Sequence, residues 1–201
     1  MPRVAILDYG MGNLRSVARA VDHAGGDPVV TSDAAEVGRA EALIVPGVGA
    51  FGACMANLRA TGLDRATTAF AETGRPLVGV CLGMQVLFDH GEEGDAHGLG
   101  LLRGEVTRLS GSVKVPHMGW NEVEWTGDHP LVRGIASGTR FYFVHSYACR
   151  PAEDVVVGET EHGARFPAVV ARDNVFATQF HPEKSGQAGL EVYRNLVKEL
   201  G

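Results

Sequence analysis

Residues 76–85 place the strongest constraint on how this chain can fold. Residues 77–80 form a continuous apolar run, which is typical of a buried strand in a parallel sheet. Residues 82–88 carry apolar side chains at helical spacing, so we expect a helix to begin directly after the strand. Cys81 lies at the corner, with a glycine two residues away on each side. Such a corner strains its central residue and holds the side chain up at the carboxyl end of the sheet.

A thiol at this corner has two interpretations. An isolated cysteine is most often a small buried hydrophobe. At the start of a helix, however, the thiolate is favoured over the thiol, and the following Leu82 N–H can donate to a developing oxyanion. A nucleophilic cysteine also needs a base, so the choice depends on residues elsewhere in the chain.

A candidate base lies near the carboxyl terminus, in the sequence His181-Pro182-Glu183. Proline disfavours helical geometry for the residue before it, and residues two apart in an extended segment point to the same side. A carboxylate beside one ring nitrogen fixes the tautomer that a basic imidazole needs. The two motifs together therefore predict a triad of Cys81, His181 and Glu183.

The other histidines are weaker candidates for chemistry. His117 and His145 lie in aromatic, apolar segments, which favours hydrogen-bonded structural groups or pocket walls. No histidine pair has metal-ligand spacing with acids or thiols nearby, so we expect no metal and no cofactor. The remaining histidines lie in loops or near helix ends, where we expect them to be solvated: His23, His90, His97, His129 and His162.

Composition is that of an ordinary globular protein. A length of 201 residues with 45% hydrophobic content predicts a single domain, residues 1–201, with a sizeable core. The net charge of −6 gives no electrostatic footprint for nucleic acid. Three cysteines at unrelated spacings indicate neither a disulfide framework nor a zinc site. Without a signal peptide or a long apolar span, we expect a cytoplasmic protein that does not engage a membrane.

Strand and helix patterns alternate in the first part of the chain, which predicts an α/β fold with an open parallel sheet covered on both faces. We expect strands at residues 4–7, 28–31, 42–45 and 77–80, and helices at 14–24, 53–60 and 63–72. Beyond residue 91, short segments rich in Val, Phe, Tyr and Trp predict hairpins joined to the same sheet, at 104–109, 121–125, 141–145, 155–160, 168–172 and 175–179. A last helix is expected at 187–200.

The glycine-rich loop at residues 10–15 follows the first strand and opens a helix, as a dinucleotide-binding fingerprint does. Asp33 lies roughly 20 residues on, where a ribose-binding acid is expected. The third glycine position is Arg15, which cannot provide the close helix–strand packing of that glycine. Because a partial match is a weak signal, a tight turn is the favoured interpretation.

These motifs resemble those of the triad-type (class I) glutamine amidotransferases. The match lies in Gly79-Val80-Cys81-Leu82-Gly83-Met84-Gln85, in Pro46-Gly47-Val48-Gly49 and in His181-Pro182-Glu183. More narrowly, the sequence is similar to the glutaminase subunits of imidazole glycerol phosphate synthase, from histidine biosynthesis. That likeness rests on residues 8–14, 46–51, 116–121 and 141–147, so it covers essentially the whole chain.

The resemblance implies a three-layer, flavodoxin-like fold and hydrolysis of L-glutamine to glutamate and ammonia. Cys81 would attack the amide carbon, His181 would transfer protons, and Glu183 would orient His181. It also implies a separate (β/α)8 cyclase subunit, because this chain is too short to contain that barrel. The cyclase would use the ammonia to form imidazole glycerol phosphate and AICAR from PRFAR.

Further roles follow from the same resemblance. The oxyanion hole would be built by Val48, Gly49 and Leu82, and the segment 46–49 would flip its peptide plane when the partner binds substrate. The glutamine contacts would be Gly47, Gln85, Glu93, Ser146 and Tyr147. The contacts with the cyclase subunit, which makes a heterodimer, would be Asn13, Met118, Trp120, Asn121, Tyr142 and Lys184.

Three alternatives stay open. A glutaminase of the same fold can serve another synthase, such as one of vitamin B6 or aminobenzoate formation. A cysteine peptidase or a DJ-1-like protein can also place its cysteine on such an elbow. A binding module without catalysis can reuse the elbow as well.

Overall fold

The computed structural model describes all 201 residues as two sheets with helices. The strands are β1 (Arg3–Leu7), β2 (Asp27–Thr31), β3 (Ala42–Gly47), β4 (Leu77–Cys81), β5 (Phe88–Gly91), β6 (Ala96–His97), β7 (Leu102–Arg108), β8 (His117–Trp125), β9 (Thr139–His145), β10 (Tyr147–Pro151), β11 (Val156–His162), β12 (Ala164–Arg172) and β13 (Val175–Thr178). The helices are α1 (Leu14–His23), α2 (Ala34–Arg39), α3 (Phe51–Thr61), α4 (Leu63–Ala71), α5 (Leu82–Gln85) and α6 (Gly186–Glu199), with 3₁₀ turns at Pro130–Val132 and Pro182–Lys184.

Five parallel strands form one half of the nine-stranded sheet, in the order β2-β1-β3-β4-β13. This is the order of flavodoxin-like sheets, and ligands of such sheets bind beyond the carboxyl ends of the strands. Gly47 at the end of β3 lies in register with Cys81 at the end of β4. Thr178 at the end of β13 lies opposite Val80. The sheet therefore brings three strand ends from distant parts of the chain to one edge.

The parallel strands are buried on both faces, which is why they appear in the sequence as continuous apolar runs. Alternate residues of β1 enter two different apolar clusters, with Val4 and Ile6 in one and Ala5 and Leu7 in the other. Helices α1 and α6 cover the first face, and α2, α3 and α4 cover the second. The predicted three-layer arrangement is confirmed. None of the helices combines the length and the apolar character that crossing a bilayer requires.

The structure adds a helix that the sequence pattern missed. Helix α2 has six residues, and its first N–H groups are capped by Asp33, whose Oδ1 accepts a hydrogen bond from the Ala35 N–H at 2.8 Å. The carboxylate that a dinucleotide site would have used thus begins a helix, which supports the turn interpretation of residues 10–15.

Two predictions about the middle of the chain are wrong. Helix α5 ends at Gln85 instead of continuing to residue 88, because the N–H groups of Leu99 and Leu102 take the carbonyls of Val86 and Leu87. The chain from Phe88 then forms β5. The strand expected at 104–109 is β7, which pairs with β5 and β10 in the separate four-stranded sheet and does not join the main sheet.

Candidate active site

The predicted elbow is present at the end of β4. Cys81 has φ 56° and ψ −110°, a conformation that residues with a side chain rarely adopt. A Cβ on Gly83 would collide with the Val45 carbonyl oxygen, and one on Gly79 would lie 2.7 Å from the Gly83 carbonyl oxygen. The two glycines therefore allow the strand and the helix to meet closely enough to hold Cys81 in this strained conformation.

His181 and Glu183 form a buried pair behind the elbow. The distance from His181 Nδ1 to Glu183 Oε1 is 2.8 Å, and the two side chains are 2% and 1% exposed. The backbone of His181 is also fixed, because its N–H donates to the Tyr142 carbonyl at 3.0 Å and its carbonyl accepts from Ser185 Oγ at 2.6 Å. The ring is therefore oriented by a carboxylate on one nitrogen, as the sequence predicted.

The charge state of His181 follows from its surroundings. Burial alone would lower the pKa of the imidazole, but the Cys81 thiolate and then the Glu183 carboxylate outweigh burial and raise the pKa to about 10. The Nε2 atom of His181 is buried and has no hydrogen-bond partner within the chain. Catalytic hydrogen bonds are often long without substrate and tighten when it binds. His181 is thus placed to carry a positive charge beside the Cys81 sulfur and the Glu183 carboxylate.

A cavity of about 310 Å³ opens in front of Cys81. Its volume is sufficient for a small amino acid. Besides Cys81, Pro116, Val144 and His145, its wall contains seven residues that the sequence assigned to the oxyanion hole or to glutamine: Val48, Gly49, Leu82, Gln85, Glu93, Ser146 and Tyr147. Gly47 is not on the wall. A Cβ there would lie 2.7 Å from the Tyr9 hydroxyl oxygen, so this glycine is required by packing.

A larger and more open depression, of about 570 Å³, lies behind Glu183 between α1 and α6. Arg19, Asp22 and His23 are among its lining residues, and Cys81 is not. The chemistry is therefore placed in the smaller cavity.

The segment Pro46–Gly49, which we call the oxyanion segment, forms the wall beside the elbow. The Tyr9 hydroxyl donates to the Pro46 carbonyl at 2.5 Å and fixes the start of the segment. Beyond that point Val48 is 39% exposed and Gly49 has φ 106°. Neither the Val48 nor the Gly49 N–H donates a hydrogen bond within the chain. Both groups are therefore free to serve a ligand.

Polar groups on the opposite wall are already paired with one another. Both hydrogens of the Gln85 amide are engaged, one by the Tyr147 carbonyl at 3.0 Å and one by Gln179 Oε1 at 3.1 Å, which leaves Gln85 Oε1 to accept. Glu93 Oε2 accepts from the Phe51 N–H at 2.9 Å. The Ser146 N–H, by contrast, donates no hydrogen bond within the chain and is available to a carboxylate.

A chain of neutral histidines runs from this wall to the surface of β8. His145 Nδ1 donates to the Tyr147 carbonyl at 2.7 Å, His117 Nδ1 donates to His145 Nε2 at 3.0 Å, and Asn121 Nδ2 donates to His117 Nε2 at 3.2 Å. The directions are fixed because a carbonyl can only accept. Burial lowers the pKa of His145 to about 3 and that of His117 to about 4. The predicted structural and pocket-wall roles of these two histidines are confirmed.

His162 does not fit its predicted solvated position. Its ring stacks on that of His117, with the centroids 4.3 Å apart, and its Nε2 donates to the Lys114 carbonyl at 2.8 Å. The end of β11 carries the ring against β8, which no local pattern indicates. His129 is likewise packed, with its ring stacked on Phe176.

Three of the residues predicted to contact a partner lie together on the surface. Trp120 on β8 faces Tyr142 on β9 in register, with the rings 6.2 Å apart, and Lys184 Nζ lies 5.9 Å from the Tyr142 ring centre. Trp120 is 56% exposed and Met118 is 63% exposed, so neither is a core residue.

Asn121 and Asn13, the last two of the six residues predicted to contact a partner, are placed differently. Asn121 turns its amide inward, towards His117 Nε2 and the Glu161 carbonyl. Asn13 directly precedes α1, and its side chain does not cap the helix.

Two residues in the site were missed by the sequence reasoning. Gln179 lies fully buried with its Nε2 3.7 Å from the Cys81 sulfur, and Tyr9 holds the oxyanion segment. The signal for Gln179 was its place directly after a strand that ends beside the elbow. Tyr9 follows β1 in the same way, but nothing local indicates its partner on β3.

The fold and the site define a class of enzyme, and comparison with known proteins identifies the same class. Residues 5–200 match the family described as glutamine amidotransferase class-I, and the chain belongs to this family. Solved structures show the same fold at low identity. One is PurLQS from Thermotoga maritima, with a TM-score of 0.79, 22% identity and coverage of 100% of this chain and 99% of that chain. Another is the glutaminase domain of a Trypanosoma brucei CTPS, with a TM-score of 0.71, 16% identity and coverage of 100% and 94%.

Curated relatives narrow the class. The chain is 52% identical to the imidazole glycerol phosphate synthase subunit HisH of Moorella thermoacetica, with 100% of this chain and 98% of the relative covered. It is 51% identical to the subunit of the same name from Halobacterium salinarum, with coverage of 96% and 92%. Within the class I glutamine amidotransferases, the chain is a member of the HisH subunits.

Proposed function

We propose that Cys81, His181 and Glu183 hydrolyse L-glutamine to glutamate and ammonia, and that the ammonia passes to a separate cyclase subunit. The observation that carries this proposal is the strained elbow. It presents the Cys81 sulfur to a cavity of about 310 Å³ with the oriented His181–Glu183 pair behind it. The cavity wall offers a polar group for each end of a small amino acid.

The first half of the reaction forms a thioester. The Cys81 thiolate attacks the side-chain amide carbon, and the carbonyl oxygen becomes an oxyanion. In this proposal the Leu82 N–H and an N–H of the oxyanion segment donate to it, and each such donor is worth about 3 kcal/mol. The His181 imidazolium then gives its proton to the departing nitrogen, which leaves as ammonia.

The second half restores the enzyme. His181, now neutral, accepts a proton from a water molecule that attacks the thioester carbon. A second oxyanion forms and collapses, and glutamate leaves as the Cys81 thiolate is released. Glu183 stabilises the imidazolium in both halves, since its carboxylate contacts Nδ1 at 2.8 Å.

The partner is a (β/α)8 cyclase subunit of imidazole glycerol phosphate synthase, which forms imidazole glycerol phosphate and AICAR from PRFAR. Support comes from relatives at about half identity that carry the name of a subunit of this synthase. The exposed side chains of Met118 and Trp120 are of the types enriched in interface cores. Lys184 directly follows the triad residue Glu183, which gives the partner a short route to the catalytic pair.

Glutamate release with and without the cyclase subunit and its nucleotide ligand tests the proposal. We expect stimulation by the cyclase, and a loss of about 10⁴-fold or more in Cys81→Ala. Cys149→Ala is the matched control, because Cys149 is fully buried outside the cavity wall. Glutamate release that survives Cys81→Ala would exclude the triad mechanism. Stimulation only by an unrelated synthase would exclude the proposed partner.

A further inference from the structure

The Cys81 sulfur has a neighbour that the triad mechanism leaves unused. Gln179 is 0% exposed and follows β13, which pairs with β4 beside the elbow. Its side-chain Nε2 lies 3.7 Å from the sulfur, within the range of an N–H···S hydrogen bond. A glutamine without solvent contact, directed at the nucleophile of a proposed thiol enzyme, requires an explanation.

The orientation of this amide is determined by a backbone carbonyl two contacts away. The Tyr147 carbonyl can only accept, so Gln85 must direct its NH₂ group towards it. The second hydrogen of the same group then points at Gln179, which must present its oxygen there. Gln179 is thereby left with its NH₂ group towards the Cys81 sulfur. A flipped amide would place two donors against each other.

We propose that Gln179 is a further catalytic residue, whose side-chain amide donates a hydrogen bond to the Cys81 sulfur and stabilises the thiolate. The proposal rests on the proposed function only in that it takes Cys81 as the nucleophile. It concerns the state of the sulfur before glutamine arrives, so it is testable without glutamine.

The surroundings of the sulfur show why such a donor matters. Helix α5 has only four residues, so its dipole gives the thiolate little support. The Val144 carbonyl oxygen lies 3.9 Å from the sulfur, where it accepts from a thiol S–H and repels a thiolate. The His181 imidazolium and the Gln179 amide are the groups that oppose this effect. Removal of the amide therefore shifts the balance towards the neutral thiol.

A different role for Gln179 is to hold Gln85 in place. Two substitutions separate the roles. Gln179→Glu keeps the oxygen that accepts from Gln85 and, once ionised, cannot donate to the sulfur and repels the thiolate. Gln179→Met keeps the length of the side chain and loses both contacts. A purely structural role predicts a mild Glu variant and a damaged Met variant, whereas a donor role predicts that both are damaged.

The experiment follows alkylation of Cys81 by iodoacetamide as a function of pH, by mass spectrometry of the full-length protein. We expect the rate at pH 7 to fall about tenfold or more in Gln179→Met, with its midpoint moved to higher pH. In Gln179→Glu the deficit grows as the pH rises, because a buried carboxyl group that is still protonated can donate. Gln187→Met is the control, since Gln187 is exposed at the start of α6.

An alkylation profile of Gln179→Glu that matches the wild type up to pH 9 would overturn the proposal and leave only the support of Gln85. Such a result leaves glutaminase activity, which is measured separately, undecided, so the two failures are distinguishable. If glutaminase activity is absent while the alkylation profiles shift as expected, the donor role stands and the proposed reaction does not.

A measurement on the unaltered residue covers the case in which both variants fail to fold. The chain has three glutamines, Gln85, Gln179 and Gln187, so ¹⁵N-glutamine labelling gives three side-chain amide signals. We expect Cys81→Ala to shift the Gln179 amide protons most and the exposed Gln187 protons least. An unchanged Gln179 signal in Cys81→Ala would contradict the hydrogen bond.

Discussion

The two sides of the cavity are built differently. On the elbow side, backbone packing leaves no room: a side chain on Gly83 would meet the Val45 carbonyl, and His181 is held at its ring and at both backbone polar groups. On the oxyanion segment, one hydroxyl holds Pro46, and the N–H groups of Val48 and Gly49 have no partner within the chain. The nucleophile and the base are therefore preassembled, whereas the groups that stabilise the oxyanion are adjustable.

The difference indicates which side of the cavity can change its conformation with little loss of stability. Changing the elbow means repacking a buried strand against a helix, which costs stability. Rotating a peptide plane between two glycines costs little, because glycine is unhindered in either conformation. A change in the backbone packing of the elbow should therefore lower stability, and the loss of an N–H group in the oxyanion segment should lower the rate.

The largest effect is expected for Glu183→Gln, in the preassembled pair. The substitution removes the charge that helps to raise the pKa of His181, so glutaminase activity falls by about 10⁴-fold. The pKa of His181 falls as well, and the alkaline limb of the rate profile moves from near pH 10 to lower pH. Steady-state rates between pH 6 and 10.5 test this.

The linked stability has a definite sign. The folded pKa of His181 lies above its ordinary value of 6.5, so its contribution is full below about pH 6.5 and is lost as the pH rises through about 10. The free energy of unfolding of the wild type, measured by denaturation, should therefore decline between about pH 6.5 and 10. The decline should be smaller in Glu183→Gln. Equal declines in both proteins would contradict the assigned charge of the pair.

Val48→Pro is expected to give the next largest change, on the adjustable side. Proline removes an N–H that makes no hydrogen bond within the chain, so the free energy of unfolding should change little. Glutaminase activity in the presence of the cyclase should fall about 10²–10³-fold if that N–H serves the oxyanion. Val48→Ala keeps the N–H and should retain most of the rate. Equal activity of the two variants would remove Val48 from the oxyanion hole.

Gly83→Ala should affect stability more than any substitution in the oxyanion segment. The added methyl group collides with a backbone carbonyl, and backbone cannot move aside as a side chain can. We expect a loss of about 3 kcal/mol or more in urea denaturation. Gly52→Ala in α3 is the control, since a methyl group there meets its first neighbour at 3.6 Å. Equal free energies of unfolding in the two variants would contradict the close packing of Gly83 against β3.

The smallest effect is expected for Tyr9→Phe. Burial raises the pKa of Tyr9 above its ordinary value, so the hydroxyl remains a donor to Pro46 throughout the working range. Its loss should cost about 1–2 kcal/mol of unfolding free energy and change the rate through the oxyanion segment. Tyr193→Phe is a matched control, because the buried Tyr193 hydroxyl has no hydrogen-bond partner. A larger loss of stability in the control than in Tyr9→Phe would contradict the stabilising role of the Tyr9–Pro46 hydrogen bond.

The sequence predicts the features that depend on neighbours along the chain. The elbow follows from an apolar run with glycines around Cys81, and the orientation of His181 follows from Pro182. The short length of α5 was not predictable, because the carbonyls of Val86 and Leu87 are taken by residues more than ten positions away.

The contact of the Gln179 side chain with Cys81 and the pairing of His117 with His145 could not be predicted from local patterns for the same reason. They depend on the register of β8 with β9 and of β13 with β4. Pairing between distant strands determines these contacts, whereas periodicity reports only which face of a strand is buried.

The histidine chain has a consequence for the product. His145 is on the cavity wall and stays uncharged down to about pH 3, as His117 behind it does down to about pH 4. An imidazole that carries no extra proton cannot turn ammonia into ammonium, the form that no longer attacks a carbon centre. His145 and His117 therefore supply no proton to the nitrogen that leaves Cys81.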